Sequence, residues 1–486
     1  MKKKNAIIFV IIFIISIAIF FPLLLGNLIG DDYLISSIGY IDYIKKYSLN
    51  DGRIFCTILP IIFNALHIPI FTGKIIALMI TLAIASLTVV KLKNIIDKYK
   101  KSNGIKQSIL VTLISFATIY NFLFIDEIFY IEAPVIVSSI LLFIIAANIL
   151  VTNNKKSLIK SLLLVVIASF CYQGTILVFF AMSFLFSILK NKDDVKRVFI
   201  DLFKCICIAG IATIMNFAFI KIYGKVNNIN SRAININKIK RNIAIIFENA
   251  DLLLIKNFNF YYEGMFLGIV ITIIVTTLIY ATKNDLKNSI IIKMACIIVL
   301  FIISSSAMYV VIFSSFYAGR TRIPLGMLIG ALLIFIYVET KIFEDNKTFK
   351  YFCVVVLLFY IITVLTYFEK IIISKKQSDK LNIESANKII EYVHEYESDT
   401  GIEVTNITEL ALINYSKEIN KYLYKMHANL PFSDTNLINM RSASSMVNYY
   451  SDKKYENYKV EIATQYGEPA SYYCKGDTLY IYICSW

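Results

Sequence analysis

The sequence is poor in the residues and motifs that bind metals and nucleotides. It contains three histidines among 486 residues, and no histidine and cysteine positions show the spacing of a zinc site. No Walker sequence and no other glycine-rich phosphate loop is present. These absences argue against a zinc protein of the Cys/His type and against an ATPase or GTPase with a P-loop.

Charged residues are also scarce for a chain of this length. They make up 17% of the sequence, whereas hydrophobic residues make up 58% and the mean hydropathy is +0.67. The hydrophobic residues occur in repeated long runs, which predicts an all-α polytopic membrane protein. The formal net charge of +15 comes from lysines that collect at the ends of these runs. We interpret it as a signal for topology and anionic lipid, and we expect no nucleic acid partner.

The distribution of lysine predicts the orientation of the chain. Lys2, Lys3 and Lys4 precede the first apolar run, residues 6–26, and clustered lysines stay in the cytoplasm. This run lacks a small-residue cleavage site, so we expect a retained helix rather than a signal peptide. Following the basic loops down the chain gives about eleven crossings and an extracytoplasmic C-terminus. Abundant isoleucine, lysine and asparagine are typical of AT-rich bacterial genomes, and we expect a bacterial plasma membrane.

Two segments depart from a simple crossing. Residues 54–66 are too short to span a bilayer and are predicted to lie in the outer interface. Residues 158–189 are predicted to form two half-helices that meet near the outer side, with a break at residues 171–174. The predicted crossings are residues 6–26, 70–90, 108–125, 134–151, 158–189 as two passes, 198–223, 264–281, 290–313, 323–339 and 351–374.

Residues 375–486 differ in composition from the rest of the chain. They are polar and rich in tyrosine, which predicts a transmembrane domain over residues 1–374 and a small extracytoplasmic α+β domain over residues 375–486. The expected elements of the second domain are a helix over residues 385–397 and strands over residues 458–463 and 479–483. If this domain is exported, Cys474 and Cys484 could form a disulfide.

Two adjacent carboxylates at the mouth of the first predicted helix are the most informative feature of the sequence. Gly-Asp-Asp-Tyr occupies residues 30–33, directly after the run 6–26. Charge close to hydrocarbon is costly and is usually retained for function, although Asp31 could simply end the helix. The predicted topology brings further polar groups to the same outer face. They are Asp51 and Arg53, Asp126, Glu127 and Glu132, Tyr172 and Gln173, and Tyr317, Arg320 and Arg322.

A simpler explanation exists for most of these groups. Arg53 could snorkel to lipid headgroups, and the two later arginines could anchor a loop there. We interpret Asp126, Glu127 and Glu132 mainly as solvated loop charges. Residues 172–174 fit a plain helix break and a polar cavity within the membrane equally well.

Carboxylates opposite arginines are suited to transfer chemistry on a phosphate. The planar guanidinium holds phosphate oxygens through two parallel hydrogen bonds, and a carboxylate can take the proton of a sugar hydroxyl. Repulsion between two adjacent carboxylates tends to raise the pKa of one of them, which favours a base. An outward-facing site has no access to ATP or nucleotide sugars, so we expect a donor carried by the membrane.

The chain resembles the GT-C glycosyltransferases in its order of a helix, Asp-Asp-aromatic, and then Gly-Arg before an interfacial helix. Within this group it is most similar to the bacterial glucosyl transferases of the O-antigen-modifying (Gtr) type. The matching stretches are residues 30–33, 51–53, 171–174 and 318–320. Members of the family often have a proline after the Gly-Arg, whereas this chain has Ile54.

The resemblance implies transfer of a hexose, with glucose expected, from a polyprenyl-phosphate-linked donor to a cell-envelope glycan or glycolipid. The anomeric centre would be inverted. Asp31 or Asp32 would be the general base, with a slight preference for Asp32. Arg53, with Arg320 or Arg322, would bind the donor phosphate. The substrate-binding candidates are Tyr33, Asp51, Glu127, Tyr172 and Gln173.

No cofactor is expected for this reaction. An oxygen-rich site could hold a divalent metal, but the arginines make a metal unnecessary. The main alternative function is a transporter or flippase for a lipid-linked glycan, which would also have charges facing a membrane cavity and broken helices. Against it, the ionisable residues lie at the outer ends of the predicted helices rather than near the midplane, and no internal repeat is visible.

Overall fold

The computed structural model describes a chain that is mostly helical. It describes residues 3–26, 28–102, 104–152, 154–192, 194–228, 243, 264–283, 289–311, 321–345, 347–412, 443–455, 457–463 and 471–484. The helices are α1 (Lys3–Leu24), α2 (Gly30–Ile38), α3 (Tyr40–Tyr43), α4 (Ile58–Ala65), α5 (Ile70–Tyr99), α6 (Ile105–Ile119), α7 (Ala133–Leu150), α8 (Lys155–Cys171), α9 (Ile176–Asn191), α10 (Val195–Val226), α11 (Met265–Lys283), α12 (Ser289–Val311), α13 (Ile323–Glu339), α14 (Ile342–Asp345), α15 (Lys347–Thr400) and α16 (Ala443–Tyr450).

Eight of the described helices are long and apolar enough to cross a membrane. They are α1, α5, α7, α9 with the turn before it, α10, α11, α12 and α15. The prediction of an all-α membrane protein is therefore confirmed. Three further predicted crossings fall on α6, α8 and α13, which have 15, 17 and 17 residues. A span needs about 20 residues and at least about 17, so α6 is too short and α8 and α13 only reach the minimum, and the total of eleven remains a prediction.

The predicted interruption at residues 171–174 is confirmed. α8 ends at Cys171, a 3₁₀ turn follows over Gln173–Thr175, and α9 begins at Ile176. Both α8 and α9 pack against α7, and a meeting of the two half-helices near the outer side remains a prediction.

The chain between α1 and α5 folds into short elements. After α2 and α3 come a π-helical turn over Ile44–Ser48, a 3₁₀ turn over Ile54–Thr57, and α4. The predicted segment 54–66 thus forms a short helix, and Ile58, Ile61 and Ile62 are exposed on it. An exposed apolar face suits a helix that lies in a membrane interface, which remains the prediction for this segment.

Two glycines allow α13 to pack closely on α6. A Cβ at Gly330 would lie 2.7 Å from the Cα of Thr118, and one at Gly326 would lie 1.9 Å from Oδ1 of Asn121. Glycines spaced in this way let helix backbones approach each other in membranes. Tyr360 of α15 also donates a 3.3 Å hydrogen bond to the Gly326 carbonyl, so α15 joins the same contact.

The C-terminal region contains a mixed four-stranded sheet. Its strands are β1 (Asn406–Leu412), β2 (Asn457–Ile462), β3 (Tyr472–Lys475) and β4 (Thr478–Cys484), in the order β2-β1-β4-β3. β1 is parallel to β2 and β4, and β3 is antiparallel to β4. The predicted strands over 458–463 and 479–483 are confirmed as β2 and β4, and the predicted helix over 385–397 is part of α15. The predicted domain boundary at 374 falls inside α15, which continues through it.

The strand register excludes the predicted disulfide. Cys474 in β3 is paired with Leu479 in β4, so Cys484 lies five residues further along that strand. At a rise of about 3.3 Å per residue this separation is about 16 Å. A disulfide needs Cα atoms closer than about 7 Å, and Cys474 is a free thiol.

One hydrophobic cluster joins the C-terminal region to the short elements between α1 and α5. α16 packs directly on α2. The buried members of this cluster include Leu28, Tyr33 and Ile35 from the segment between α1 and α5, and Ala386, Ile389, Met446 and Ile481 from the C-terminal region. The C-terminal region and the α1–α5 segment therefore lie on the same side of the protein.

Candidate active site around Arg53

A tight turn before α4 aims Arg53 into the protein. Gly52 has a φ of +76°, a conformation that residues with a side chain rarely adopt. A Cβ there would lie 2.8 Å from Oδ1 of Asn216 in α10, whose amide donates a 2.9 Å hydrogen bond to the Gly52 carbonyl. The Arg53 N–H donates to the Ser48 carbonyl at 2.9 Å and closes the turn. Contact with α10 thereby fixes the turn that carries Arg53.

The guanidinium of Arg53 is held from three directions. It lies 3.1 Å from a carboxylate oxygen of Asp51, 3.4 Å from one of Glu132, and 5.0 Å from the ring centre of Tyr172. Burial alone would lower the pKa of Arg53, but these partners outweigh burial and raise the pKa, so the group is charged. Nε is buried and has no hydrogen-bond partner among the described residues.

The interruption between α8 and α9 supplies the ring beside Arg53. Gly174 leaves room for that ring, because a Cβ at Gly174 would lie 2.5 Å from Cε1 of Tyr172. The Gln173 amide donates a 2.7 Å hydrogen bond to the Asp51 carbonyl. The structure thus brings together four of the predicted site residues, namely Asp51, Arg53, Tyr172 and Gln173.

Glu132 belongs to this cluster, although the sequence suggested a solvated loop charge. That interpretation is wrong for Asp126, Glu127 and Glu132, since all three side chains are buried. Ser48 donates a 2.5 Å hydrogen bond to one oxygen of Glu132, and the other oxygen faces Arg53. Burial raises the pKa of Glu132, while Arg53 and the Ser48 hydrogen bond oppose the rise. Because 79 residues separate Glu132 from Arg53, no local pattern indicates the pair.

Asp32 is fully buried and joins three elements. Its Oδ2 accepts a 2.8 Å hydrogen bond from the Ile29 N–H and lies 2.5 Å from Nζ of Lys74 in α5. Lys74 also donates to the Phe129 carbonyl, in the loop before α7. Burial raises the pKa of Asp32, and the charge of Lys74 opposes the rise. These bonds fasten the start of α2 to α5 and to the loop that carries Glu132.

Asp31 lies beside Asp32 in the first turn of α2 and is only partly buried. It is close enough to Glu132 for the two charges to interact. Burial raises the pKa of the Tyr43 hydroxyl, the charges of Asp31 and Glu132 raise it further, and Arg53 opposes them. Tyr43 therefore feels the charges of Asp31, Glu132 and Arg53, whereas the described contacts of Arg53 itself are with Asp51, Glu132 and Tyr172.

Tyr33 packs between α2 and α16. Its side chain is 2% exposed, its hydroxyl lies 2.9 Å from that of Tyr450, and its ring centre lies 5.3 Å from that of Tyr449. In this arrangement Tyr33 is a packing contact, and a role in substrate binding remains a prediction.

Glu127 and Arg322 are not among the described partners of Arg53. Glu127 and Arg322 are both buried, and each has interactions of its own. Arg320 and the matching stretch 318–320 lie outside the described residues. Among the residues that the structure describes, no three His, Cys, Asp or Glu side chains are arranged to hold a metal ion. Independence of a metal cofactor remains a prediction.

No protein-family model and no curated protein matches this chain. The resemblance to the GT-C glycosyltransferases therefore depends on the sequence motifs themselves. Two of them, residues 51–53 and 171–174, meet at Arg53.

Proposed function

We propose that the protein is a membrane glycosyltransferase that transfers a hexose, with glucose expected, from a polyprenyl-phosphate donor to a cell-envelope glycan or glycolipid. One observation carries the proposal: Arg53 is charged and mostly enclosed, its Nε has no hydrogen-bond partner among the described residues, and the partly accessible Asp31 acts on the same Tyr43 and Glu132 as Arg53 does. An arginine of this kind suits a phosphate, and a carboxylate of this kind suits a hydroxyl that must lose its proton.

In the proposed reaction, Arg53 binds the phosphate of the donor. Its fixed fork of N–H donors matches phosphate oxygens, and its partners Asp51, Glu132 and Tyr172 hold the fork in one orientation. Negative charge grows on this phosphate as the bond from the sugar C1 to the phosphate oxygen breaks. A guanidinium in a poorly solvated site stabilises such charge more than water does.

Asp31 is the proposed base in this scheme. It takes the proton from the acceptor hydroxyl while the acceptor oxygen bonds to C1 of the sugar and polyprenyl phosphate leaves. A single displacement of this kind inverts the anomeric centre. The geometry favours Asp31 over Asp32, because Asp32 is fully buried and its Oδ2 is already bonded to Lys74.

The proposal includes a location and an orientation. The site would lie on the outer face of a bacterial plasma membrane, with about eleven crossings, a cytoplasmic N-terminus and an extracytoplasmic C-terminus. The partners would be the lipid-linked donor, the envelope acceptor and the surrounding membrane lipid.

Release of polyprenyl phosphate tests the role of Arg53. Membranes with the native chain or Arg53→Gln would receive a synthetic polyprenyl-phosphate hexose and an envelope acceptor fraction. We expect Arg53→Gln to lower release by about 10²- to 10³-fold, as expected when a donor to a developing negative charge is lost. Arg197→Gln is the matched control, because Arg197 is 68% exposed and its described ion pair is with Asp194, three residues earlier in the chain.

The alternative function predicts a different result. A flippase would move the lipid-linked glycan between leaflets without releasing polyprenyl phosphate. Native membranes that translocate the lipid but release none of the carrier would contradict the proposal.

A further inference from the structure

The C-terminal region makes specific polar contacts with the helix that carries the two aspartates. The Tyr450 hydroxyl in α16 is 2.9 Å from the Tyr33 hydroxyl in α2. The ring of Tyr33 also packs against both tyrosines of α16, with ring centres 5.3 Å from Tyr449 and 5.9 Å from Tyr450. Tyr33 directly follows Asp32, so these contacts act on the turn that carries the carboxylates.

A second contact holds the chain just before α2. Nζ of Lys375 in α15 donates a 2.8 Å hydrogen bond to the Leu28 carbonyl, and the lysine is fully buried. It is also paired with Asp379 one turn further along α15. Leu28 precedes Ile29, whose N–H binds Asp32, so Lys375 fixes the entry to α2.

α16 is itself fastened to the sheet. The buried carboxylate of Glu409 in β1 accepts a 2.9 Å hydrogen bond from the Ser444 N–H in the first turn of α16. Met446 and Val447 of α16 belong to the same buried cluster as Ile481 and Ile483 of β4. Through α16, the tyrosine contacts therefore connect α2 to the folded sheet and fix its position relative to the sheet.

α2 needs such support. It has nine residues, whereas isolated helices shorter than about 12 residues are marginal in water. The side chain of Asp32 secures it to α5, through Lys74. The contacts of α16 and α15 secure it to the C-terminal region.

From these contacts we infer that the C-terminal region positions the carboxylates for the reaction, with Tyr450 as the positioning residue and Lys375 as a second anchor. The inference rests on the proposed function, since it assigns Tyr450 a role in that same site. A displacement of about 1 Å at a reacting group can cost up to about 100-fold in rate, so the reaction is sensitive to the loss of a contact that positions α2.

Tyr450→Phe tests the inference, because it keeps the ring and removes only the hydroxyl. We expect kcat for hexose transfer to fall by about three- to tenfold, in line with one lost hydrogen bond, with KM for the donor unchanged. Tyr33→Phe removes the same bond from the other side, so the double variant should be no slower than either single variant. Tyr473→Phe is the matched control, since Tyr473 lies on the exposed face of β3 and stacks on Tyr480.

Hydrogen exchange of the α2 amides gives a readout that does not depend on activity. We expect faster exchange over residues 30–38 in Tyr450→Phe than in the native chain, and no change in Tyr473→Phe. Unchanged exchange in Tyr450→Phe would overturn the inference, and so would unchanged kcat in an active protein. If the native chain transfers no hexose, the proposed function fails, and the exchange comparison still decides whether Tyr450 positions α2.

Discussion

Arg53, whose side chain is 18% exposed, and Asp32, which is fully buried, are two charges that are held in different ways. Arg53 has two carboxylate partners and a ring, yet its Nε has no hydrogen-bond partner among the described residues. Asp32 has one cationic partner, Lys74, and is wholly enclosed. Oδ1 of Asp32 also lacks a hydrogen-bond partner among the described residues, so at the residue scale the two groups differ in exposure. The partly exposed Arg53 suits a group that receives a ligand, and the enclosed Asp32 suits a group that holds the fold together.

Loss of the Asp32 charge should therefore destabilise the protein. Asp32→Asn leaves the buried ammonium of Lys74 without its counter-ion, and breaking one side of a buried pair costs about 3–5 kcal/mol. We expect a matching fall in thermal stability of the purified protein in detergent. Asp42→Asn, at an aspartate whose side chain is 70% exposed, should change stability by less than about 0.5 kcal/mol. Equal stability of the two variants would contradict the structural role of Asp32.

Glu132 should give the protein a pH-dependent component of stability. Burial raises its pKa in the folded state, so the folded chain binds this proton more tightly than the unfolded chain does. The resulting stabilisation is complete below the ordinary glutamate pKa of about 4.3 and is lost as the pH rises through the folded value. We would measure the free energy of unfolding of the native chain and of Glu132→Gln at a series of pH values from about 4 upwards. The difference between the two proteins should change as the stabilisation from Glu132 is lost. A difference that does not vary with pH would show that Glu132 has no raised pKa.

At the element scale, the sequence predicted the helices and strands that depend on the length of an apolar segment or on the pattern of polar residues within it. The short segment 54–66 and the break at 171–174 were predictable because one is too short to cross and the other interrupts an apolar run with polar residues. The strands β2 and β4 were predictable from their alternating residues. β1, β3 and α16 were not predicted, and neither was the burial of Glu132, because each depends on contacts between distant parts of the chain.

The close contact between α13 and α6 predicts that two glycine-to-alanine substitutions, one inside this contact and one outside it, change the stability in opposite directions. In Gly330→Ala the new Cβ would lie 2.7 Å from the Thr118 Cα, so we expect a loss of about 1–3 kcal/mol from overpacking. Gly268 in α11 has open space around its Cβ position, so Gly268→Ala should instead stabilise by up to about 1 kcal/mol through helix propensity. Thermal unfolding of both variants in the same detergent provides the comparison. Stabilisation by both substitutions would contradict the close packing of α13 on α6.

At the scale of the whole molecule, one long helix connects the membrane to the C-terminal sheet. α15 has 54 residues, which at about 1.5 Å per residue gives about 80 Å, far more than the roughly 30 Å of a hydrocarbon core. Its second half therefore projects out of the membrane. α16 beyond it packs on α2, so the C-terminal region and the carboxylate helix share one face, whatever the number of crossings.

The shared face makes the location of the C-terminus testable. We expect an epitope tag after Trp486 to be accessible to antibody and protease in intact cells whose outer layers have been removed. A tag before Lys2 should be protected under the same conditions, as the lysine cluster predicts. A protected C-terminal tag would place the candidate site in the cytoplasm and remove the reason for a lipid-linked donor.

The most direct test of glycosyl transfer at this site is transfer of labelled hexose from synthetic polyprenyl-phosphate hexose into envelope material. The samples would be membranes with equal amounts of the native chain, Asp31→Asn, or the exposed-site control Asp42→Asn. We predict transfer by the native chain and by Asp42→Asn, and a loss of about 10²-fold or more in Asp31→Asn, where the proposed base is missing. Equal transfer by the native chain and Asp31→Asn would contradict the assignment of the base, and no transfer by the folded native chain would contradict the proposed function itself.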